Sequence, residues 1–323
     1  TNVSNDHLGE WGIDTVAAMA EVKLLVADAI RAGGRLVVGD DREGPLMAAL
    51  RRRGLPSGVE VLRFPVQSFT PPSGPGRLGA WTEGDALVLD DGAGPALRLR
   101  LSEIPITVGG AALHNVQNAL CAALLARGLG VPDAAILAGL RGFRPDPHDS
   151  PGRGNLLRLR GARVILDFGH NPDGVRHIAE LAARVGAERR LVVLGQAGDR
   201  SDADILSLID ALAPCAPERW LLKSMPHYDR GRAEGEVVAL LAAALSDRVV
   251  GANAVSVHAS EDDAALAAIA ELRPGDLLIL LAHEDAAQAL ARLMEAGATV
   301  GWGEAAGAEA DDAGGPGARK EAR

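Results

Sequence analysis

The chain is poor in aromatic residues, at 3%, and has no long apolar run. Its longest apolar stretches, Leu277 to Ala282 and Val237 to Leu245, fall well short of the roughly 18 residues that a spanning helix needs. The N-terminus lacks the charged lead and apolar core of a signal peptide. The only two cysteines, Cys121 and Cys215, exclude a dense disulfide framework and fit a reducing, cytoplasmic setting with free buried thiols. They also stand far apart, and no histidine pair has ligand spacing, which argues against zinc. Positive charge is in deficit: 33 Lys and Arg face 43 Asp and Glu, a net charge of −10, so sequence-independent DNA binding is disfavoured. No Gly-x-Ser-x-Gly supports a hydrolase elbow, and no Gly-Lys-Ser/Thr marks a Walker A phosphate loop. Gly74 to Gly79 fits the dinucleotide pattern, but it sits in a proline-rich stretch with no strand before it, and we read it as a false positive.

What is present is a chain of 323 residues, 47% hydrophobic and rich in Ala and Gly, enough for about two domains with cores of small and branched aliphatics. Apolar periodicity predicts a helix over Thr15 to Arg31, with Asp14 at its N-cap, then a strand over Arg35 to Val38 and a helix over Gly44 to Arg53. Alternating runs predict strands at Val59 to Phe64, Ala86 to Asp90 and Leu97 to Leu101, and a helix follows over His114 to Ala126. Phe143 to Gly154, rich in Pro, Gly and Ser, is the best domain boundary. After it, strands at Arg163 to Leu166, Leu191 to Leu194, Trp220 to Leu222, Val255 to Val257 and Leu277 to Leu281 alternate with helices. Such alternation predicts a parallel sheet covered on both faces. The expected division is therefore 1–148, 149–302 and a disordered tail over 303–323, which has no aliphatic residue larger than Ala beyond Trp302.

Ligands of an open parallel sheet sit at the carboxyl ends of its strands. Two strand ends carry unusual residues. Asp167-Phe168-Gly169-His170-Asn171-Pro172 brings a carboxylate, an imidazole and an amide together; Asp167 can accept from ribose hydroxyls, or Asp167 and Asn171 can simply cap the turn while His170 packs. Gly195 to Ser201 places Asp199 and Arg200 at the lip, with Ser201 as an N-cap and glycines that allow close approach of a ligand. His7 is a candidate metal or phosphate ligand. Lys23, one of three lysines, interrupts an apolar run and either snorkels or is used chemically.

Taken together these segments resemble the Mur ligase superfamily, and most closely the Mur-like C-terminal part of cyanophycin synthetases. Thr1-Asn2-Val3 with Asp6-His7-Leu8 is similar to "TNI-x-x-DHL", and His114-Asn115-Val116-Gln117-Asn118-Ala119 to "HNxxNALAA". Pro151-Gly152-Arg153 with Asn155-Leu156 is similar to "PGRFNL", with Gly154 in the Phe position. Asp167 to Pro172 is similar to "DYGHNP", Gly198-Asp199-Arg200 with Asp202 to "GDRRDEDI", and Arg230 to Val237 to "RGRxPGEV".

The resemblance implies an α/β fold: the remainder of a Mur-type central ATPase domain, then a Rossmann-like C-terminal domain with a mostly parallel sheet. It implies a ligase that uses ATP and Mg2+ to activate a carboxylate as an acyl phosphate, which an amino-acid amine then attacks. Amino-acid and carboxylate substrates are expected as partners, without nucleic acid or membrane, and with self-association left open. His7 and a carbamylated Lys23 would hold magnesium and act in catalysis; a carbamate would account for a lysine buried there. His114, Asn115, Asn118, Arg153, Asp167, His170 and Asn171 would bind the nucleotide, and Asp199 and Arg200 the incoming amino acid. The family's phosphate loop is expected ahead of Thr1, so the chain alone is expected to be inactive. A peptidoglycan or folylpolyglutamate ligase, or a non-catalytic nucleotide-binding module, remain the alternatives.

Overall fold

The computed structural model describes residue 3 and residues 11–66, 79–90, 95–246 and 254–302. His7, the Gly-Pro-rich pattern before Gly79 and the tail after Trp302 lie outside the described residues.

The first lobe is built on a five-stranded sheet, β1 (Arg35–Asp40), β2 (Glu60–Pro65), β3 (Gly79–Glu83), β4 (Ala86–Asp90) and β5 (Leu97–Arg100), in that spatial order. β1, β2 and β3 run parallel, and β3, β4 and β5 form an antiparallel meander. Side-chain alternation along the strands divides the lobe into two apolar layers. Leu36 and Val38 face α1 (Val16–Lys23) and α2 (Pro45–Arg53), whereas Leu62, Phe64, Leu87 and Leu89 face α3 (Leu113–Gly128). α4 (Asp133–Gly142), which the sequence reading overlooked, packs beside α3.

The helix expected over Thr15 to Arg31 is shorter. Thr15, not Asp14, caps it by accepting from Ala18 N at 3.1 Å, and beyond Lys23 the backbone tightens into a 3-10 turn over Leu24–Ala29. Val22, Leu25 and Val26 are exposed, so the apolar stripe is only partly used within the described residues.

The second lobe holds seven strands in the order β10-β9-β8-β11-β7-β6-β12. They are β6 (Asn155–Leu159), β7 (Ala162–Asp167), β8 (Arg189–Leu194), β9 (Arg219–Lys223), β10 (Val255–His258), β11 (Asp276–Leu281) and β12 (Thr299–Val300). The five from β7 to β11 are mutually parallel, as expected; β6 joins by an antiparallel hairpin and β12 caps the edge. The hairpin turns on Arg160 and Gly161, both at positive φ (51° and 84°), which suits a two-residue connection.

Among the described residues five helices cover the sheet: α5 (Pro172–Arg184), α6 (Asp202–Leu212), α7 (Glu236–Ser246), α8 (Glu261–Glu271) and α9 (Ala286–Glu295). Leu277, Ile279 and Leu281 of β11 point to α5, α6 and α7, whereas Leu278 and Leu280 point to α8 and α9. Every side chain of β11 is buried, as a central parallel strand requires. β11 lies between β7 and β8, so the chain leaves β7, skips a place to β8, and returns only after β10. That reversal is a topological switch point, and open sheets of this kind bind ligands there, outside the carboxyl ends of their strands.

The lobes touch through the start of α3. Ala112 joins the core of the second lobe, and the His114 and His177 rings lie 5.5 Å apart, across α3 and α5.

Candidate functional site

The turn after β7 is organised by Asp167. Its carboxylate accepts from Gly169 N and from Gly154 N, each at 2.6 Å, so it ties the strand end to the interlobe linker. Burial raises the pKa of Asp167, while these N–H groups and Arg153 pull it back. Gly154 has φ +62°, a left-handed backbone that glycine adopts without cost. Asn171 caps α5 by accepting from Gly174 N at 2.8 Å, and Pro172 begins the helix. The capping reading of Asp167 and Asn171 is thus realised, and it delivers His170, Phe168 and Arg153 to one place. The Arg153 guanidinium lies 4.7 Å from the centre of the Phe168 ring, and the His170 ring packs 5.0 Å from it.

Gln196, at the end of β8, donates to His170 O at 2.8 Å and locks the second strand end to the first. Nothing in the sequence distinguishes Gln196 from the charged residues Asp199 and Arg200 that follow it. Asp199 forms an ion pair with Arg230, and Arg232 donates to Gly198 O (2.9 Å) and Arg200 O (2.7 Å). The glycines here serve internal packing. A Cβ on Gly198 would overlap the Asp229 carbonyl oxygen, and one on Gly195 would lie 2.6 Å from Lys223 Cγ. Ser201 caps α6, as expected, by accepting from Asp204 N at 3.2 Å.

Three candidates, His114, Asn115 and Asn118, sit on α3. Asn115 donates to Ile106 O at 3.0 Å, and Asn118 donates to Asn115 Oδ1 at 3.2 Å. Asn118 also lines an apolar cavity of about 370 Å³ between α3 and α4, walled by Ala122, Ile136, Leu140 and Phe143. Burial, with His177 alongside, pushes the His114 pKa down to about 4, so its ring is neutral near pH 7. His177 stands six residues beyond Asn171, about 9 Å along the helix, so α5 links the two clusters.

Lys23 departs from expectation. It ends α1 on an exposed face and is not a buried lysine. The apolar run that suggested burial is itself largely exposed there. An ammonium is no metal ligand, and His7 lies outside the described residues, so the magnesium site is not assembled by them. The one group of His, Asp and Glu side chains close enough to share an ion, among the described residues, is Asp146, His148 and Asp149 in the interlobe linker. Its acidic groups are spent on the loop: Asp146 accepts from the N–H groups of His148 and Asp149.

A buried polar set that no sequence motif marks lies beside the Asp167 to Asn171 turn. Lys223, at the end of β9, is fully enclosed, ion-paired with Glu261 and donating to Leu281 O at 2.6 Å. Glu261 also accepts from the N–H groups of His283, Glu284 and Asp285, at 2.7, 3.1 and 3.0 Å. Burial works against this carboxylate, but Lys223 and the backbone donors outweigh it and hold its pKa below the ordinary range. His283 Nε2 meets Gly169 O at 2.8 Å. The available signal was positional: Lys223 and His283 both close apolar strands.

Residues 152–284 match the family described as Mur ligase, glutamate ligase domain. The cyanophycin synthetase of Crocosphaera subtropica is 34% identical over 249 residues, 74% of this chain and 27% of that protein. The UDP-N-acetylmuramate–L-alanine ligase of Mycolicibacterium smegmatis is 33% identical over 192 residues, 57% of this chain and 36% of that protein. The chain thus spans about a quarter of the length of the cyanophycin synthetases it matches. Among solved structures, E. coli FolC in complex with DHPP and ADP superposes with a TM-score of 0.61 at 19% identity, covering 91% of this chain and 59% of that one. MurF from Acinetobacter baumannii gives 0.59 at 20% identity, covering 91% and 58%. These matches agree with the two-lobed α/β architecture and its mostly parallel second sheet, and the chain belongs to the Mur ligase superfamily.

Proposed function

We propose that this chain carries part of the nucleotide site of an ATP-dependent ligase that forms amide bonds, of the cyanophycin synthetase kind. The observation that carries the reading is the convergence of Arg153, Asp167, His170 and Asn171 at the carboxyl end of β7 and the start of α5. The similarity to cyanophycin synthetases over 74% of the chain supports it and favours that member over a peptidoglycan or folylpolyglutamate ligase. ATP and the carboxylate and amino-acid substrates suit a cytoplasmic enzyme, in keeping with two free cysteines. Among the described residues no helix is long and apolar enough to cross a membrane.

The residues fit a nucleotide by chemistry. Arg153 presents a planar fork that matches phosphate oxygens, and stacking on Phe168 orders it before binding. The partial positive charge at the start of α5 favours an anion. Each Asp167 oxygen already takes one N–H and keeps a further lone pair for a ribose hydroxyl. The apolar cavity beside Asn118 suits a flat base, with the side-chain amide to read its edge. Magnesium, when bound, supplies charge neutralisation between ATP and the carboxylate; His7 and a carbamylated Lys23 are the proposed holders. Asp199, Arg200 and Arg230 line the proposed amino-acid side. The sequence holds no Gly-Lys-Ser/Thr, so turnover by these 323 residues alone is not expected.

The test is calorimetric titration of the chain with ADP and ATP, beside Asp167→Ala. Losing the ribose acceptor is expected to weaken binding by about tenfold or more. In the complete enzyme, phosphate release should require ATP and depend on which amino acid is supplied. Nucleotide affinity unchanged in Asp167→Ala would remove that residue from the site, and phosphate release indifferent to every amino acid would refute the ligase reading.

A further inference from the structure

Beneath the Asp167 to Asn171 turn lies a layered stack. Arg153 covers one side of Phe168, and the His283 ring meets Phe168 edge-on with centroids 5.7 Å apart. His283 is itself 8% exposed and is the lowest layer. Two contacts fix it. Its own N–H donates to Glu261, which Lys223 holds from below, and its Nε2 meets the Gly169 carbonyl oxygen. A carbonyl oxygen only accepts, so Nε2 must carry the proton. Nδ1 is then a bare acceptor, and among the described residues it has no partner.

We propose that His283, seated by the Lys223–Glu261 pair, is a positioning residue that sets the Phe168 to His170 turn and through it the aim of Arg153 and Asp167. The consequence for nucleotide binding rests on the function proposed above; the placement of the turn does not. Burial, with the nearby Lys223 charge, pushes the His283 pKa down to about 3, so the ring stays neutral and the Nε2–H tautomer persists across working pH. A neutral ring also spares Arg153 a second cation beside Phe168. The buried lysine, otherwise a costly choice at a strand end, acquires a role: it neutralises the carboxylate that gathers the three N–H groups of the 283–285 turn.

The test compares His283→Leu with His283→Gln, whose amide N–H reaches a place close to Nε2. Three readouts are taken on the 323-residue chain: side-chain 15N resonances of His283, backbone amide resonances of Phe168 to His170, and ADP affinity by calorimetry, with thermal melting alongside. The wild type should show a protonated Nε2 and a bare Nδ1 at neutral pH and at pH 5. His283→Leu should move the turn amides and weaken ADP binding about tenfold, and His283→Gln should recover affinity to within about threefold. A wild-type ring protonated at Nδ1 instead would overturn the proposal. So would a His283→Leu chain that melts lower yet keeps both the turn amides and ADP affinity. If His283→Leu does not fold, the tautomer and the Gln variant decide alone. A wild-type chain that binds no ADP counts against the nucleotide reading, while the turn amides still decide the placement by His283.

Discussion

Replacing Lys223 by Met should be among the most destabilising single changes in the second lobe. The side chain is completely enclosed, so Met fills most of the volume but supplies neither the charge nor the donor to Leu281 O. Breaking a buried ion pair by removing one partner costs roughly 3–5 kcal/mol, because the other charge stays buried and uncompensated. The orphaned Leu281 carbonyl adds about 1–3 kcal/mol, and the three backbone N–H groups still bonded to Glu261 offset part of the total. A net loss of about 3–5 kcal/mol follows. Urea unfolding followed by circular dichroism measures it; with a slope of roughly 2–3 kcal/mol per molar, the midpoint should fall by more than about 1 M.

The same variant has a pH signature. In the wild type the folded pKa of Glu261 is depressed, so its contribution to stability is present above the unfolded carboxylate pKa and is lost as pH falls through the folded one. Without Lys223, burial dominates and the folded pKa rises above the unfolded value. Glu261 then favours the fold below the unfolded pKa and stops doing so as pH rises through the folded pKa. The gap between variant and wild type should therefore widen from pH 5 to pH 8. A loss below about 1 kcal/mol that does not change with pH would refute the reasoning.

Gly198→Ala should destabilise the loop after β8 although alanine is small, because its Cβ would overlap the Asp229 carbonyl oxygen; thermal melting checks this, and an unchanged midpoint would show that the loop yields. Lys23→Ala should leave the melting temperature of the chain nearly unchanged, since the side chain is exposed, yet abolish ligase activity in the complete enzyme without rescue by bicarbonate; normal activity would reduce Lys23 to a surface residue. Cys215 should resist thiol reagents in the native chain, because burial pushes its thiol up to about 12, and react only after unfolding. Rapid native labelling, read by mass spectrometry, would contradict that burial.

Much of the second lobe was legible in the sequence. A strand such as Leu277 to Leu281 is apolar throughout, the near-continuous hydrophobic run expected of a parallel strand buried on both faces. The helices between such strands followed from periodicity and from caps such as Ser201 and Asn171. The Asp167 to Asn171 turn stood out for the same reason: polar residues immediately after an apolar strand of an open sheet lie at its carboxyl edge. Short antiparallel β6 is hard to read because its five residues follow directly on a Pro- and Gly-rich stretch, and α4 because Gly139 and Gly142 weaken its helical signal. The N-terminal helix was read too long, since periodicity does not distinguish an α-helix from the 3-10 turn that ends it.

The linear sequence by itself determined the alternation of strands and helices, and which residue types could meet at the strand ends. Only the tertiary structure decided that Lys23 faces outward, that Gly198 makes room for Asp229, and that Lys223, Glu261 and His283 form one buried set beneath the turn. Those partners lie tens of residues apart, and β11 becomes the neighbour of β7 only because the chain returns to fill the place it first skipped. Periodicity reports which face of an element is buried, but not which distant charge or carbonyl will be buried beside it.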